Sequence, residues 1–93
     1  MTEQDIQRKI IAYLDKLPNT WVVKTISVNK RGCPDLLACI DKKFFAFEVK
    51  TPKGRVSQIQ SVQIERINSA GGHACVVRSV ADVVAAIGEN SED

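Results

Sequence analysis

Two short apolar runs, Leu36–Ile40 and Phe44–Phe47, are separated only by Asp41-Lys42-Lys43. Runs this short, bounded by turn-forming and charged residues, suit strands better than helices, and so short a gap allows only a tight hairpin. The outer ends of the hairpin are charged: Pro34-Asp35 on one side and Glu48-Val49-Lys50 on the other. Charges at the ends of core-like strands are costly to bury unless something compensates them. Glu48 and Lys50 are two apart on a strand, so they project from one face. If the chain turns on Asp41-Lys42, Ile40 faces Lys43, and stepping outward brings Asp35 opposite Glu48. Such opposed side chains have Cβ atoms about 4.5–5.5 Å apart. Two carboxylates at that distance repel unless a proton or a cation lies between them. A hard divalent ion with oxygen ligands is the simplest cation to fit, and Mg²⁺ keeps several waters in such sites. The register depends on the turn: Asp-Lys is not a favoured two-residue loop, and a shift by one residue would need a bulge to restore the pairing.

With a cation between the carboxylates, Lys50 acquires a chemical role. An ammonium there can orient an attacking water, help deprotonate it, or stabilise charge on a phosphorane, while the metal polarises a phosphoryl oxygen. Phosphodiester hydrolysis is the chemistry these groups suit. Each element alone has a plainer reading. Glu-x-Lys on a strand is commonly a cross-strand salt bridge on a wet face, and Pro-Asp before a strand is commonly turn chemistry. Their conjunction across one apolar hairpin strengthens the case for a site, and spacing alone goes no further.

The rest of the composition is consistent with this. Ninety-three residues, 44% hydrophobic and 26% charged, describe one ordinary globular domain with a modest core that oligomerisation would help. A net charge of +2 identifies no partner. However, Lys30, Arg31, Lys42, Lys43, Lys50, Lys53 and Arg55 place seven of the thirteen basic residues in the window that holds the charged hairpin ends. That clustering favours a polyanion. The cysteines, Cys33, Cys39 and Cys75, are odd in number and lack a CxxC spacing. Cys39 and Cys75 fall in apolar runs and are expected to pack as small hydrophobes, in a reducing cytoplasm and without a zinc site. No stretch reads as a signal peptide or membrane span, so a soluble intracellular protein with no membrane partner is expected.

Along the chain, Thr2 caps a helix with Asp5 three residues on. Ile6, Ile10, Tyr13, Leu14 and Leu17 follow at helical spacing, and Pro18-Asn19 closes it. Trp21–Val28 reads as a strand and Asn29–Gly32 as a turn or loop. Asp35–Ile40 and Lys43–Lys50 form the hairpin, and Thr51–Arg55 is a basic loop. Ser57 caps a second helix reaching roughly Ala70, with Ile59, Val62, Ile67 and Ala70 facing inward and Gly71-Gly72 ending it. His73–Val77 is a short strand. Ser79 caps a third helix carrying Val80, Val83, Val84 and Ile87, which Gly88 terminates. Residues 1–88 would be the domain and the acidic residues 89–93 a disordered tail. The order α-β-β-β-α-β-α predicts one α/β domain, a central mixed sheet flanked by helices.

These residues bear a resemblance. Gly32-Cys33-Pro34-Asp35-Leu36-Leu37, then Phe47–Arg55, Ser57 and Gln60, resemble the VRR-NUC branch of the PD-(D/E)xK nucleases, whose fold is restriction-endonuclease-like. The likeness extends from Glu3 and Ile6-Gln7 to Gly71-Gly72 and Val76-Val77-Arg78-Ser79. It implies that Asp35 and Glu48 ligate Mg²⁺ or Mn²⁺ with the backbone carbonyl of Val49, and that Lys50 is the catalytic lysine. It implies that Glu3 completes or supports the metal site, although a first-turn glutamate is also favoured by the helix dipole. It implies that Gln60 positions water or substrate, although Ser57-x-x-Gln60 is also a capping box. Arg31, Lys53, Arg55 and Arg78 would contact DNA phosphates, although any one of them more commonly reads as a solvated surface charge, and Cys33 beside the site has no needed role. Tyr13 and His73 read as structural. Standalone members of this kind, phage or bacterial, are expected to be homodimers.

The resulting expectation is a metal-dependent DNA endonuclease selective for branched DNA such as four-way junctions. The alternatives are a nuclease of the same fold acting on linear, flap or single-stranded DNA, and a non-catalytic nucleic-acid-binding module.

Overall fold

In a computed structural model, which describes residues 1–91, the elements fall in the expected order. They are α1 (Glu3–Asp15), β1 (Thr20–Lys24), β2 (Leu36–Ile40), β3 (Lys43–Val49), α2 (Gln58–Ser69), β4 (His73–Val77) and α3 (Val80–Glu89). The sheet order is β1-β2-β3-β4, with β1, β2 and β3 antiparallel and β4 parallel to β3. The hairpin turns where the spacing predicts, with Ile40 opposite Lys43 and Leu36 opposite Phe47. Asp41 and Lys42 achieve this at φ 48° and 74°. Two successive left-handed residues match the twist of a two-residue hairpin, even though neither is glycine.

Strand alternation divides the residues between two faces. Leu36, Ala38, Ile40, Phe45, Phe47 and Val49 point to one side, where α1 and α3 cover them with Ile6, Ile10, Leu14 and Val83. Tyr13, Leu17, Val80 and Ile87 pack at the margin of this core. The opposite face carries Trp21, Leu37, Cys39, Phe44, Ala46 and Glu48, and only α2 lies on it, against β3 and β4. Cys39 is therefore exposed rather than packed, because it alternates with Ala38 and Ile40.

The first strand is shorter than the expected Trp21–Val28. Its last backbone bond to the neighbouring segment is the Thr25 N–H on the Asp35 carbonyl at 2.8 Å, one residue past the Lys24–Leu36 pair, where the Thr25 hydroxyl also donates to the carbonyls of Pro34 and Asp35. The ladder stops there, leaving Ile26 exposed. The burial expected for α2 is also corrected. Ile64 and Ile67 are half-buried, but Ile59, Val62 and Ala70 are exposed, because the helix crosses only half of the sheet. In α3, Gly88 lies inside the helix and Asn90 caps it, while Val84 is exposed on its flank. Glu89 is thus helical. Of the acidic tail, Glu92 and Asp93 lie outside the described residues.

His73 begins β4 with its ring 5.0 Å from that of Phe45, a packing role. Asn68 ties α2 to β4, donating from Nδ2 to the Ala74 carbonyl at 3.0 Å and accepting the Ala74 N–H at 2.7 Å. Among the described residues no helix is long and apolar enough to cross a membrane.

Candidate active site

The outer end of the hairpin gathers the charged residues. One step beyond the Leu36–Phe47 pair, Asp35 stands at the level of Glu48. The Asp35 backbone is held by Thr25, whose hydroxyl donates to the carbonyls of Pro34 at 2.9 Å and Asp35 at 3.2 Å. Its side chain turns onto β3, where Oδ2 accepts the Val49 N–H at 2.9 Å. That bond fixes the carboxylate against the strand that carries Glu48 and Lys50.

Glu48 is 2% exposed. Its Oε2 accepts from Gln60 Nε2 at 3.1 Å and lies 3.7 Å from Lys50 Nζ. Its Oε1 is buried with no hydrogen-bond partner. Burial pushes the Glu48 carboxyl up to about 8, and the neighbouring charge of Asp35 adds to the rise. Lys50 pulls it down, and the charge of Glu3 pushes it slightly higher. Glu3, half-buried at the start of α1, thus acts electrostatically on Glu48. Cys33, half-buried, is held in its thiol form by burial and by the charges of Glu48 and Asp35.

Gln60 forms the capping box and also reaches into the site. Its Oε1 accepts the Ser57 N–H at 2.9 Å while its N–H donates to Ser57 Oγ at 3.2 Å, which is the capping box. Its Nε2 reaches Glu48 from the same side chain. The first turn of α2 is thereby pinned over the carboxylate. Gly32 allows the neighbouring loop to close on that turn: at φ +78°, a Cβ there would lie 2.7 Å from the Ile59 carbonyl oxygen. Gln63 Nε2 adds a bond to the Arg31 carbonyl at 3.1 Å.

The basic residues separate into two groups. Arg31, Lys53 and Arg55 have exposed side chains around the site. Arg78 is half-buried, and its Nη1 donates to the carbonyls of Thr51 at 2.6 Å, Gly54 at 2.8 Å and Pro52 at 3.4 Å. Sequence reasoning also gave no role to Gln7, one turn from Glu3 on α1. It is buried with Oε1 unpartnered, and its i+4 spacing from Glu3 was the available signal.

A divalent cation fits the donor set at Asp35 and Glu48: one buried carboxylate oxygen lacks a partner, and a second carboxylate stands beside it. Among the described residues no three His, Cys, Asp or Glu side chains converge as a metal cluster. A hard ion at this end of the hairpin would draw on the carboxylates of Asp35 and Glu48, with water completing its shell.

Opposed carboxylates and a lysine at the end of an antiparallel hairpin, in a mixed sheet flanked by helices, define a nuclease-type domain. The chain belongs to the VRR-NUC domain family, whose profile matches residues 2–81. Solved structures share its fold, and two of them are similar over nearly the whole chain. One, a "VRR_NUC domain", is 23% identical with a TM-score of 0.80, over 98% of this chain and 100% of its own. The other, a "VRR_NUC domain protein", is 19% identical with a TM-score of 0.77, over 96% of this chain and 87% of its own. No curated protein matches the sequence.

Proposed function

We propose that the chain is a Mg²⁺- or Mn²⁺-dependent endonuclease that hydrolyses phosphodiester bonds in branched DNA, above all four-way junctions, as a homodimer. The observation that carries this reading is the buried, unpartnered Oε1 of Glu48 beside Asp35 and Lys50. Asp35, Glu48 and the Val49 carbonyl would hold the ion, with Glu3 supporting them. When bound, the ion lowers the pKa of its water and polarises a phosphoryl oxygen.

The chain's own residues do the rest. Gln60 occupies Oε2 of Glu48, which leaves Oε1 as the free acceptor. Lys50, whose side chain is 12% exposed, presents its ammonium beside the carboxylates, where it orients the attacking water and offsets charge on the phosphorane. Arg31, Lys53 and Arg55 supply phosphate contacts that weaken with salt. Symmetric cleavage of a junction needs two sites, and a two-fold dimer supplies them. The half-covered sheet face supports that arrangement: Trp21 (63% exposed), Phe44 (44%), Ile59 (39%) and Val62 (41%) leave an apolar surface on the α2 side.

The test is a parallel digest of four-way junction, flap, duplex and single strand, in Mg²⁺ and in EDTA. Wild type should cut only with the metal, and Glu48→Ala should lose roughly a hundredfold or more in rate. Paired, symmetric cuts confined to the junction are the expected product. Equal cutting of flap or linear DNA would move the assignment to the broader substrate class. Wild-type cleavage by Glu48→Ala would remove the site assignment altogether.

A further inference from the structure

Thr51-Pro52-Lys53-Gly54 forms a tight turn directly after Lys50, closed by the Gly54 N–H on the Thr51 carbonyl at 3.0 Å. Three carbonyls of this turn, from Thr51, Pro52 and Gly54, converge on a single donor, Nη1 of Arg78, at 2.6–3.4 Å. Converging carbonyl dipoles repel one another unless a cation or several donors lie between them, and a guanidinium is suited to this. Arg78 is itself fixed. It follows β4 at the point where the Lys50 N–H donates to the Val77 carbonyl at 3.0 Å. Its own N–H donates to Asp82 Oδ2 at 2.8 Å, in the first turn of α3. The clamp thus joins α3, the end of β4 and the loop. Lys53 and Arg55 stay exposed on the outside of that loop.

We infer that Arg78 is a positioning residue that holds the basic loop 51–55 in place and so aims Lys53 and Arg55 at DNA phosphates, rather than being a phosphate ligand itself. The DNA part of this inference rests on the nuclease reading above; the clamp does not. Half-burial and three carbonyl acceptors leave Nη1 occupied by protein. Without the clamp, the loop would keep its charges but lose their fixed direction beside Lys50.

Salt dependence separates the two roles. Binding of a labelled four-way junction in EDTA is measured across KCl concentrations for four proteins: wild type, Arg78→Gln, Lys53→Gln/Arg55→Gln, and the triple variant. Each phosphate contact contributes roughly 0.9 to the slope of log affinity against log salt. The Lys53→Gln/Arg55→Gln pair should lower the slope by about 1.8. Arg78→Gln should lower it in the wild-type background and change nothing once Lys53 and Arg55 are gone. A further loss of about 0.9 in the triple variant, or no effect of Arg78→Gln in wild type, overturns the inference.

Limited trypsin digestion decides the clamp without DNA. Cleavage after Lys53 and Arg55 should be at least about tenfold faster in Arg78→Gln, with cleavage after Arg8 and Lys9 unchanged. Equal loop cleavage overturns the clamp, whereas failure of wild type to bind DNA overturns only the nuclease reading. If Arg78→Gln does not fold, amide exchange in wild type takes its place. A Gly54 amide slowed about tenfold or more supports the clamp, and free exchange overturns it.

Discussion

Glu48 is the residue at which folding and function oppose each other. In the folded, metal-free chain its carboxyl is raised to about 8, against an ordinary value of 4.5 in the unfolded chain. Between those two values the folded form holds a proton that the unfolded form has released. Stability must therefore fall as pH rises through this window, with the contribution fully present below about 4.5 and lost above about 8. Thermal melts of metal-free protein from pH 5 to pH 8 should show the decline, and Mg²⁺ should restore stability at the alkaline end. Glu48→Gln should flatten the profile, melt about 10 °C higher than metal-free wild type at pH 8, and gain nothing from Mg²⁺. A pH-independent wild-type melting point would show that the buried carboxylate carries no such cost. Glu48 and Lys50 were legible in the sequence because their spacing puts them on one strand face. Gln7 and Thr25 were not, since a helical glutamine and a threonine after a strand are ordinary residues until packing buries one and aims the other.

The hairpin is the element that brings Asp35 to Glu48, and it does so through a turn of poor chemistry. Asp41 and Lys42 both sit at positive φ, which costs an L-residue roughly 1 kcal/mol or more. Replacing the pair with Asn-Gly, the residues such a turn prefers, should stabilise the chain by about 0.5–1 kcal/mol. Urea denaturation should show this as a higher midpoint at unchanged slope. A lower midpoint would mean that Asp41 or Lys42 makes contacts outweighing the strain. The length of β1 depends on a different kind of information. Its β-branched composition runs on to Val28, but pairing ends where the Thr25 side chain donates to the carbonyls of Pro34 and Asp35. The amphipathic reading of α2 failed for a comparable reason: apolar residues at helical spacing mark a face that can be covered, and the sheet beneath is narrow enough to leave Ile59 and Val62 outside.

At the scale of the whole molecule, helices cover one face of the sheet with α1 and α3 and the other with α2 alone. A small domain that leaves a tryptophan and a phenylalanine on an open sheet face gains by burying them against a second copy. In the proposed dimer, Trp21→Lys should therefore leave a monomer in light scattering, with β1 still paired to β2 because Trp21 faces away from the core. Junction cutting should lose its symmetry, while each monomer keeps an intact Asp35–Glu48–Lys50 site. A Trp21→Lys protein that remained dimeric at micromolar concentration would place the interface elsewhere.

The sequence by itself determined the element order, the hairpin register and the meeting of Asp35, Glu48 and Lys50. These follow from local rules: strand periodicity, turn length and capping residues act over a few positions and need no knowledge of distant chain. Tertiary structure alone decided how those groups are used. It buried Glu48 and left one oxygen unpartnered, let Gln60 serve a helix cap and a carboxylate at once, and turned Arg78 inward onto three carbonyls. Each of these depends on which surfaces meet. Burial and convergence come from packing between elements far apart in the chain, a property that residue spacing does not encode.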